Sequence, residues 1–266
     1  MRLRKTYLLA LVLSAASLQN AFGQSYKNEI WHETAMDSTY NPVYLPDGKI
    51  KGGAETHAII KKYAPLIAPY YEKLGYAPEE IKKYKPESPL TDFTADAMLE
   101  AAQKYLNGIA SLKHEKVDFS LTNYGGIRDN LPKGDITKYD VVCVFPFNNR
   151  MFIVSLKGKY VRSLMEHFAK SEMIQIMGGV RIKVVKRELA GCLIGGSAID
   201  DDKTYRIATT DYILSGGDNM KALSHATDRI DTGIMLRDII SDAVKQKCLG
   251  GKPLIVKTDG RAVIIK

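Results

Sequence analysis

The amino-acid sequence predicts an α+β domain built on a mixed sheet. Three observations carry that prediction. Helical and two-residue apolar periods alternate irregularly along the chain, without the repeated strand-helix-strand rhythm of a regular doubly wound sheet. Several strand-like stretches are separated only by short turn sequences, as in hairpins. The composition is that of an ordinary folded protein: of 266 residues, 45% are hydrophobic and 26% charged, with 21 Gly and 10 Pro, which excludes disorder and collagen-like repetition. A chain of this length buries a core without disulfide or metal staples.

The reading divides the chain into residues 1–23, 24–57 and 58–266. Met1-Arg2-Leu3-Arg4-Lys5 is a basic start, Tyr7 to Leu18 an apolar run, and Ala21-Phe22-Gly23 sets small residues at the positions a signal peptidase reads. This is a signal peptide cleaved before Gln24, with no Cys at the cleavage point for a lipid anchor. No later stretch reaches the roughly 18 apolar residues of a membrane span. The expectation is an exported chain, periplasmic or secreted. Residues 24–57 mix polar, aromatic, Pro and Gly residues without a period and read as an N-terminal arm.

From Ala58 to Leu74 apolar residues recur at helical spacing, and Pro65 and Pro69 are expected to break or kink that helix. Asp92 to Leu106 is a clearer helix, with Thr91 as candidate cap and Asn107-Gly108 as its stop. Val117, Phe119 and Leu121 alternate as a strand, and Met151 to Leu156 reads as another. After Lys157-Gly158, helical spacing returns at Tyr160, Val161, Leu164, Met165 and Phe168. Strands are predicted at Val180 to Lys186 and Tyr205 to Thr209, joined across the acidic turn Asp200 to Lys203. A helix from Ile234 to Lys247 and two short strands, Leu254 to Val256 and Ala262 to Ile265, close the chain.

Charge and cysteines set limits on function. Losing Arg2, Arg4 and Lys5 with the leader lowers the formal charge from +8 to +5, and the lysines are dispersed, so solvated helix faces are favoured over a nucleic-acid patch. Cys143, Cys192 and Cys248 lack C-x-x-C spacing and are read as small buried hydrophobes. The five histidines stand far apart, outside any H-x-H, H-E-x-x-H or D-x-H pattern, so this chain is expected to bind no metal. The sequence also lacks G-x-S-x-G, Walker and G-x-G-x-x-G signatures, which lowers the odds of acyl transfer, NTP hydrolysis and dinucleotide binding.

Three loop segments remain. In Thr122 to Arg128 a strand runs into Gly125-Gly126, where backbone N–H groups can approach a ligand, flanked by the Asn123 amide and the Arg128 guanidinium. Its structural alternative is a plain turn. In Val144-Phe145-Pro146-Phe147-Asn148-Asn149 a proline holds an aromatic rigidly; the alternative is a corner of the core. Thr210 to Asp218 is another strand exit with paired glycines, bringing Tyr212 and Asp218 six residues apart. Together these segments contain what a nucleoside site needs: aromatic faces for a base, an amide for its edge, a carboxylate for ribose hydroxyls and a guanidinium for phosphate.

At these residues the sequence resembles the C-terminal, substrate-binding domain of the exported 5'-nucleotidases, the group that includes UDP-sugar hydrolases and 2',3'-cyclic phosphodiesterases. The resemblance runs from about Ala58 to Gln246. Glu87 to Phe93 and Ala95-Asp96-Ala97-Met98 are similar to E-S-x-L-G-N-L and A-D-A-M, and Asn123 to Arg128 to N-G-G-G-I-R. Gly134-Asp135-Ile136-Thr137, Phe145-Pro146-Phe147-Asn148, Leu156-Lys157-Gly158 and Ser215-Gly216-Gly217-Asp218 follow in the family's order. The chain departs from the pattern at Tyr124, where a glycine is usual, at Tyr212, where a phenylalanine is, and at Asn219, where a second glycine is. Tyr84 and Lys85 stand where an arginine often precedes the E-S motif.

The resemblance implies a mixed-sheet fold of the 5'-nucleotidase C-terminal type, a short helix over Tyr139 to Cys143, and a substrate site. In that site Asn123 contacts the base, Phe147 and Tyr212 sandwich it, Asp218 holds the ribose, Arg128 meets the phosphate, and Gly125 and Gly126 shape the loop. The family's metallophosphatase domain, with its D-x-H, G-N-H-[DE] and G-H-x-H motifs, has no counterpart in the sequence. The expectation is therefore the substrate-binding half of a split 5'-nucleotidase, inactive alone, whose partner is a separate metallophosphatase chain carrying a divalent metal pair. The alternative is a stand-alone nucleoside- or nucleotide-binding protein.

Overall fold

A computed structural model describes residues 54–266 of the chain. The predicted leader, its cleavage point and most of the predicted arm lie outside the described residues. Among the described residues no helix is long and apolar enough to cross a membrane. The chain divides into two compact units, one ending at Tyr71 and one beginning at Glu72.

In the first unit helix α1 spans Ala54–Ile67 and a 3-10 turn spans Ala68–Tyr71. The predicted break at Pro65 does not occur, because Pro65 falls in the last turn, where few further helical bonds depend on it. Pro69 lies in the tighter turn instead. The helix also begins at Ala54, inside the stretch read as an irregular arm.

The second unit is α+β with mixed sheets. Its strands are β1 (Lys73–Ala77), β2 (Phe119–Thr122), β3 (Gly134–Thr137), β4 (Arg150–Lys157), β5 (Ile176–Gly178), β6 (Val180–Val185), β7 (Glu188–Ile194), β8 (Ser197–Ala198), β9 (Thr204–Thr210), β10 (Thr227–Met235) and β11 (Ala262–Ile265). Its helices are α2 (Pro89–Asn107), α3 (Lys138–Val144), α4 (Gly158–Ser171), α5 (Asp211–Leu214) and α6 (Leu236–Lys247). A five-stranded sheet has the order β10-β4-β9-β2-β5, a four-stranded sheet the order β11-β6-β7-β8, and β1 pairs β3. In the five-stranded sheet β2 and β9 are parallel and the other pairs antiparallel.

Alternation along the strands buries both faces of the central sheet. Met151 and Ile153 of β4 and Ala208 of β9 join the core cluster that contains Leu90, Met98 and Leu106 of α2 and Ile240 and Val244 of α6. Val154 and Leu156 of β4 and Ile207 of β9 join the other cluster, with Val161, Leu164 and Phe168 of α4 and Ile182 and Val184 of β6. The ends of the strands, not their faces, are left for ligands.

Several boundaries move from their predicted places for identifiable reasons. α2 starts at Pro89, since proline at a first helical position gives up a hydrogen bond that no partner would have taken. Its cap is Ser88, and Thr91 is the reciprocal partner in a capping box. The short helix implied over Tyr139 to Cys143 is present as α3, capped by Thr137 with Asp140 reaching back. β10 occupies Ile234 and Met235, predicted as helix, because it is paired to β4 as far as Met235 opposite Arg150. Among the described residues the predicted strand at Leu254 to Val256 forms no ladder; Leu254 is buried and its N–H bonds the carbonyl of Tyr76. All three cysteines are free thiols, but only Cys192 is buried, while Cys143 is exposed.

Candidate functional site

Strand direction decides where the predicted residues meet. β2 and β9 are parallel neighbours, with Phe119 opposite Ile207 and Ser120 opposite Ala208, so both leave the sheet at the same end. β4 runs the other way beside β9, with Met151 opposite Thr210, so its first residues lie at that end too. The Asn123–Arg128 loop follows β2, the Tyr212–Asp218 segment follows β9, and Phe147 just precedes β4. Asn123, Gly125, Gly126, Arg128, Phe147, Tyr212 and Asp218 therefore converge on the carboxyl ends of the parallel pair, a common place for ligands in open sheets.

Buried polar atoms mark the same end. Among the described residues six buried side-chain polar atoms have no hydrogen-bond partner, and Thr122 Oγ1, Asn123 Oδ1, Thr209 Oγ1 and Thr210 Oγ1 are four of them. Buried polar atoms are nearly always paired in folded proteins. These four lie at the ends of two adjacent strands, Thr210 on the face of Ala208 and Thr209 on the opposite face with Ile207.

The Asn123 loop is built around its own amide. Tyr124–Gly126 forms a 3-10 turn in which Gly126 N–H bonds the carbonyl of Asn123 at 3.1 Å and Ile127 N–H that of Tyr124 at 3.3 Å. The glycines were expected to let backbone N–H groups reach a ligand. Neither has a positive φ. A Cβ on Gly126 would stand 2.9 Å from Asn123 Oδ1, so this glycine makes room for the Asn123 side chain, whereas one on Gly125 would make only an ordinary 3.4 Å contact with Nδ2. Arg128 is anchored through its N–H to the carbonyl of Val144 at 2.8 Å, and its Nη1 returns to the carbonyl of Gly125 at 3.3 Å.

Tyr212 and Asp218 touch directly: the phenol donates to Asp218 Oδ1 at 3.0 Å. That bond raises the phenol's pKa above its ordinary value. The ring lies so close to Gly217 that a Cβ there would come within 2.5 Å of Tyr212 Cε1, which explains the second glycine of that pair. Asp218 and Asn219 both adopt left-handed backbone, with φ of 49° and 59°. Asp and Asn bear this conformation better than other side chains, so Asn219 suits a position where the family has glycine.

Phe147 is 46% exposed and Tyr212 40%, so neither is a core ring. The core corner of the first segment is Phe145, which is 2% exposed. Among the described residues neither Phe147 nor Tyr212 stacks on another aromatic ring. Asn148 Oδ1 accepts from Arg237 Nη2 at 2.5 Å and Asn149 C=O from Leu236 N–H at 2.9 Å, which tie the Phe147 loop to the start of α6.

Sequence reasoning missed two neighbours of this loop. Lys83 and Lys85 both place their ammonium groups over the ring of Tyr124, 4.0 and 4.9 Å from its centroid. Burial, with the charges of Arg128 and Lys85, lowers the pKa of Lys83. The signal lay in the Lys83-Tyr84-Lys85 alternation and in Tyr124 itself, the residue that departs from the glycine of the family pattern.

A second charged cluster is closed on itself. The carboxylates of Glu87, Asp92 and Asp259 lie within 4.8 Å of one another, the one group of potential metal ligands among the described residues. Its chemistry does not suit a cation. Glu87 Oε1 accepts the N–H groups of Asp259 and Gly260, Oε2 accepts that of Ala262, and Arg261 sits against Asp92, Asp96 and Asp259. Burial outweighs the nearby Arg261 charge and pushes Asp92 up to about 8. Glu87, by contrast, is held below its ordinary value: burial would raise it, but the N–H groups of Ala262, Gly260 and Asp259 and the neighbouring Asp92 carboxyl prevail. The cluster fastens the start of β11 to the start of α2.

A mixed sheet buried on both faces, with polar and aromatic side chains gathered beyond the ends of its parallel strands, defines an α+β domain with a candidate site at one end of its sheet. The chain belongs to the family described as 5'-nucleotidase, C-terminal domain, whose sequence profile matches residues 73–225. It is 29% identical over 213 residues to the trifunctional nucleotide phosphoesterase protein YfkN of Bacillus subtilis, covering 71% of this chain and 14% of that protein. It is 28% identical over 138 residues to a 5'-nucleotidase of Vibrio cholerae, covering 50% of this chain and 25% of the relative. Among solved structures, a 5'-nucleotidase precursor from Thermus thermophilus superposes with a TM-score of 0.66 at 24% identity, covering 79% of this chain and 43% of that one. The chain thus spans a quarter or less of these two relatives and under half of the solved neighbour.

Proposed function

We propose that this chain binds a nucleotide or related phosphomonoester at the end of its central sheet and presents it to a metallophosphatase carried by a separate chain. The observation that carries the reading is the convergence of the three predicted segments on one end of the sheet, beside four buried polar atoms without protein partners. In this reading Phe147 and Tyr212 hold the base between them, Asn123 meets its edge, Asp218 accepts from the ribose hydroxyls and Arg128 donates to the phosphate. The exposure of both rings and the Tyr212–Asp218 hydrogen bond support those roles.

The divalent metal pair belongs to the partner in this proposal. The histidines fall in no metal-binding pattern, and the Glu87–Asp92–Asp259 cluster is already engaged by backbone N–H groups and Arg261. The leader-like residues 1–23 support export of the chain.

Phosphate release from AMP with Mn²⁺ or Zn²⁺ tests the proposal, using this chain, a metallophosphatase chain and both together. Turnover is expected only, or far faster, in the mixture. Metal-dependent turnover by this chain alone overturns the split, and AMP binding without stimulation of the phosphatase favours a stand-alone binding protein. Calorimetry adds a check on Arg128: Arg128→Ala should cost AMP about 1.5–3 kcal/mol, the range for a charge-assisted hydrogen bond, and cost adenosine little.

A further inference from the structure

Lys83 and Lys85 lie over one half-buried ring, that of Tyr124. The charge of Arg128, whose Nη1 bonds the carbonyl of the adjacent Gly125, is felt at Lys83. Among the described residues none of the three forms an ion pair with a carboxylate. Lys83 also donates to the carbonyl of Ile127, the residue before Arg128, and Lys85 Nζ lies 3.2 Å from Met173 Sδ. Tyr124 is fixed in turn by its N–H, which donates at 2.7 Å to Oε1 of the buried Gln175. Like charges gathered this way repel; burial first, and then the charges of Arg128 and Lys85, lower the pKa of Lys83. An aromatic face offsets part of that repulsion, since its negative quadrupole attracts cations. The remaining imbalance is the kind that an anion removes.

We propose that Tyr124 is a positioning residue which holds Lys83 and Lys85 beside Arg128, and that the three cations form one subsite for a phosphate or pyrophosphate group. The inference rests on the nucleotide-binding reading, and it extends the anion grip from a single guanidinium to an array whose scaffold is an aromatic ring. An array of this charge favours the more highly charged ligand, so ADP should bind at least as tightly as AMP, and both more tightly than adenosine. The gain should shrink as salt rises, because exposed charges are screened.

Calorimetry on the full chain with adenosine, AMP, ADP and inorganic pyrophosphate, at low and high salt, tests this. Tyr124→Leu removes the ring, and Tyr124→Phe keeps it and removes only the hydroxyl. Tyr124→Leu should weaken AMP and ADP about five- to thirtyfold, the loss of two cation–ring contacts, and leave adenosine unchanged; Tyr124→Phe should restore the parent's affinity. Should Tyr124→Leu lower the melting temperature, Lys83→Met and Lys85→Met replace it, since each removes a charge at a partly or fully exposed position. Equal losses for adenosine and AMP, a Phe variant as weak as the Leu variant, or lysine variants that bind AMP normally would each overturn the proposal. If adenosine and AMP fail to bind the parent at all, the nucleotide reading falls; pyrophosphate binding that depends on Tyr124 would still support the anion subsite, and its absence would end both.

Discussion

Lys83 and Glu87 stand four positions apart, and the two side chains meet opposite fates. Glu87 is buried, with both oxygens taken by backbone N–H groups of the residues that lead into β11. The charges around it alternate, with Asp96 and Asp259 gathered on one guanidinium that also touches the Asp92 carboxyl. Lys83 and Lys85 face the other way, onto a ring they share, and among the described residues neither forms an ion pair with a carboxylate. One short segment thus carries a closed cluster, whose charges are spent on holding the chain, and an open one, whose charges remain available. Charge alone does not mark a site; charge without an internal partner does.

That contrast can be broken most strongly on the closed side. Glu87→Ala leaves three backbone N–H groups without their acceptor. A hydrogen bond to a charged group contributes about 1.5–3 kcal/mol, and three that share one carboxylate do not add fully, so a loss of roughly 3 kcal/mol or more is expected in urea unfolding. Adenosine and AMP affinity measured well below the melting temperature should hardly change. If binding falls in step with stability, the two clusters are not independent.

Asp92 gives the next effect, and its sign depends on pH. In the fold its carboxyl keeps its proton to about pH 8, whereas the unfolded chain releases it in the ordinary carboxylate range. The folded state is then the better proton binder between those values, so stability is full at low pH and falls as pH rises toward 8. Asp92→Asn, which carries the residue of the family's motif, cannot ionise and should escape that fall. Its advantage over the parent should widen between pH 5 and pH 8, by at most about 1.4 kcal/mol per pH unit. A difference that stays constant across that range would mean that Asp92 is ionised throughout and paired with Arg261.

Most elements of the second unit were legible because periodicity and punctuation agreed. α4 shows helical spacing after Gly158, and β4 and β9 are rich in residues that suit a half-buried pleat. Six strands, β1, β3, β5, β7, β8 and β10, were not read from the sequence. Of these, β1 contains a glycine and an exposed tyrosine, and β10 is largely exposed and polar, so these two exist through pairing rather than through pattern. The site was legible as three loop motifs, but local sequence does not say what a glycine makes room for. Gly126 accommodates Asn123 and Gly217 accommodates Tyr212, each a contact fixed only once the turn has formed. The lysines were missed for a related reason, since their common partner is a tyrosine some forty residues away.

On the open side of the comparison, the exposed rings give a moderate effect. Stacking on a base is worth about 1–3 kcal/mol per aromatic, so Phe147→Ala and Tyr212→Ala should each weaken adenosine binding about tenfold or more. A buried ring would instead cost the fold roughly 3–5 kcal/mol. Because both rings are about half exposed, the ligand-free melting temperature should move little. A large drop in melting temperature, or unchanged adenosine affinity, removes that residue from the site.

The smallest effect separates the ring of Tyr212 from its hydroxyl. Tyr212→Phe keeps the stacking face against Gly217 and deletes only the hydrogen bond to Asp218. Both partners are exposed, so water replaces the lost donor, and a neutral-to-charged bond in that setting contributes little net free energy. Adenosine affinity should change by no more than about threefold, within the roughly 0.5–1.5 kcal/mol of an ordinary hydrogen bond. The hydroxyl does, however, orient the carboxylate proposed to hold the ribose. Whatever change appears should therefore be larger for adenosine than for 2'-deoxyadenosine, which offers Asp218 one hydroxyl fewer. Equal small changes for both ligands would leave Asp218 outside the ribose contact, and a loss as large as that of Tyr212→Ala would mean that the hydroxyl itself, rather than the ring, meets the ligand.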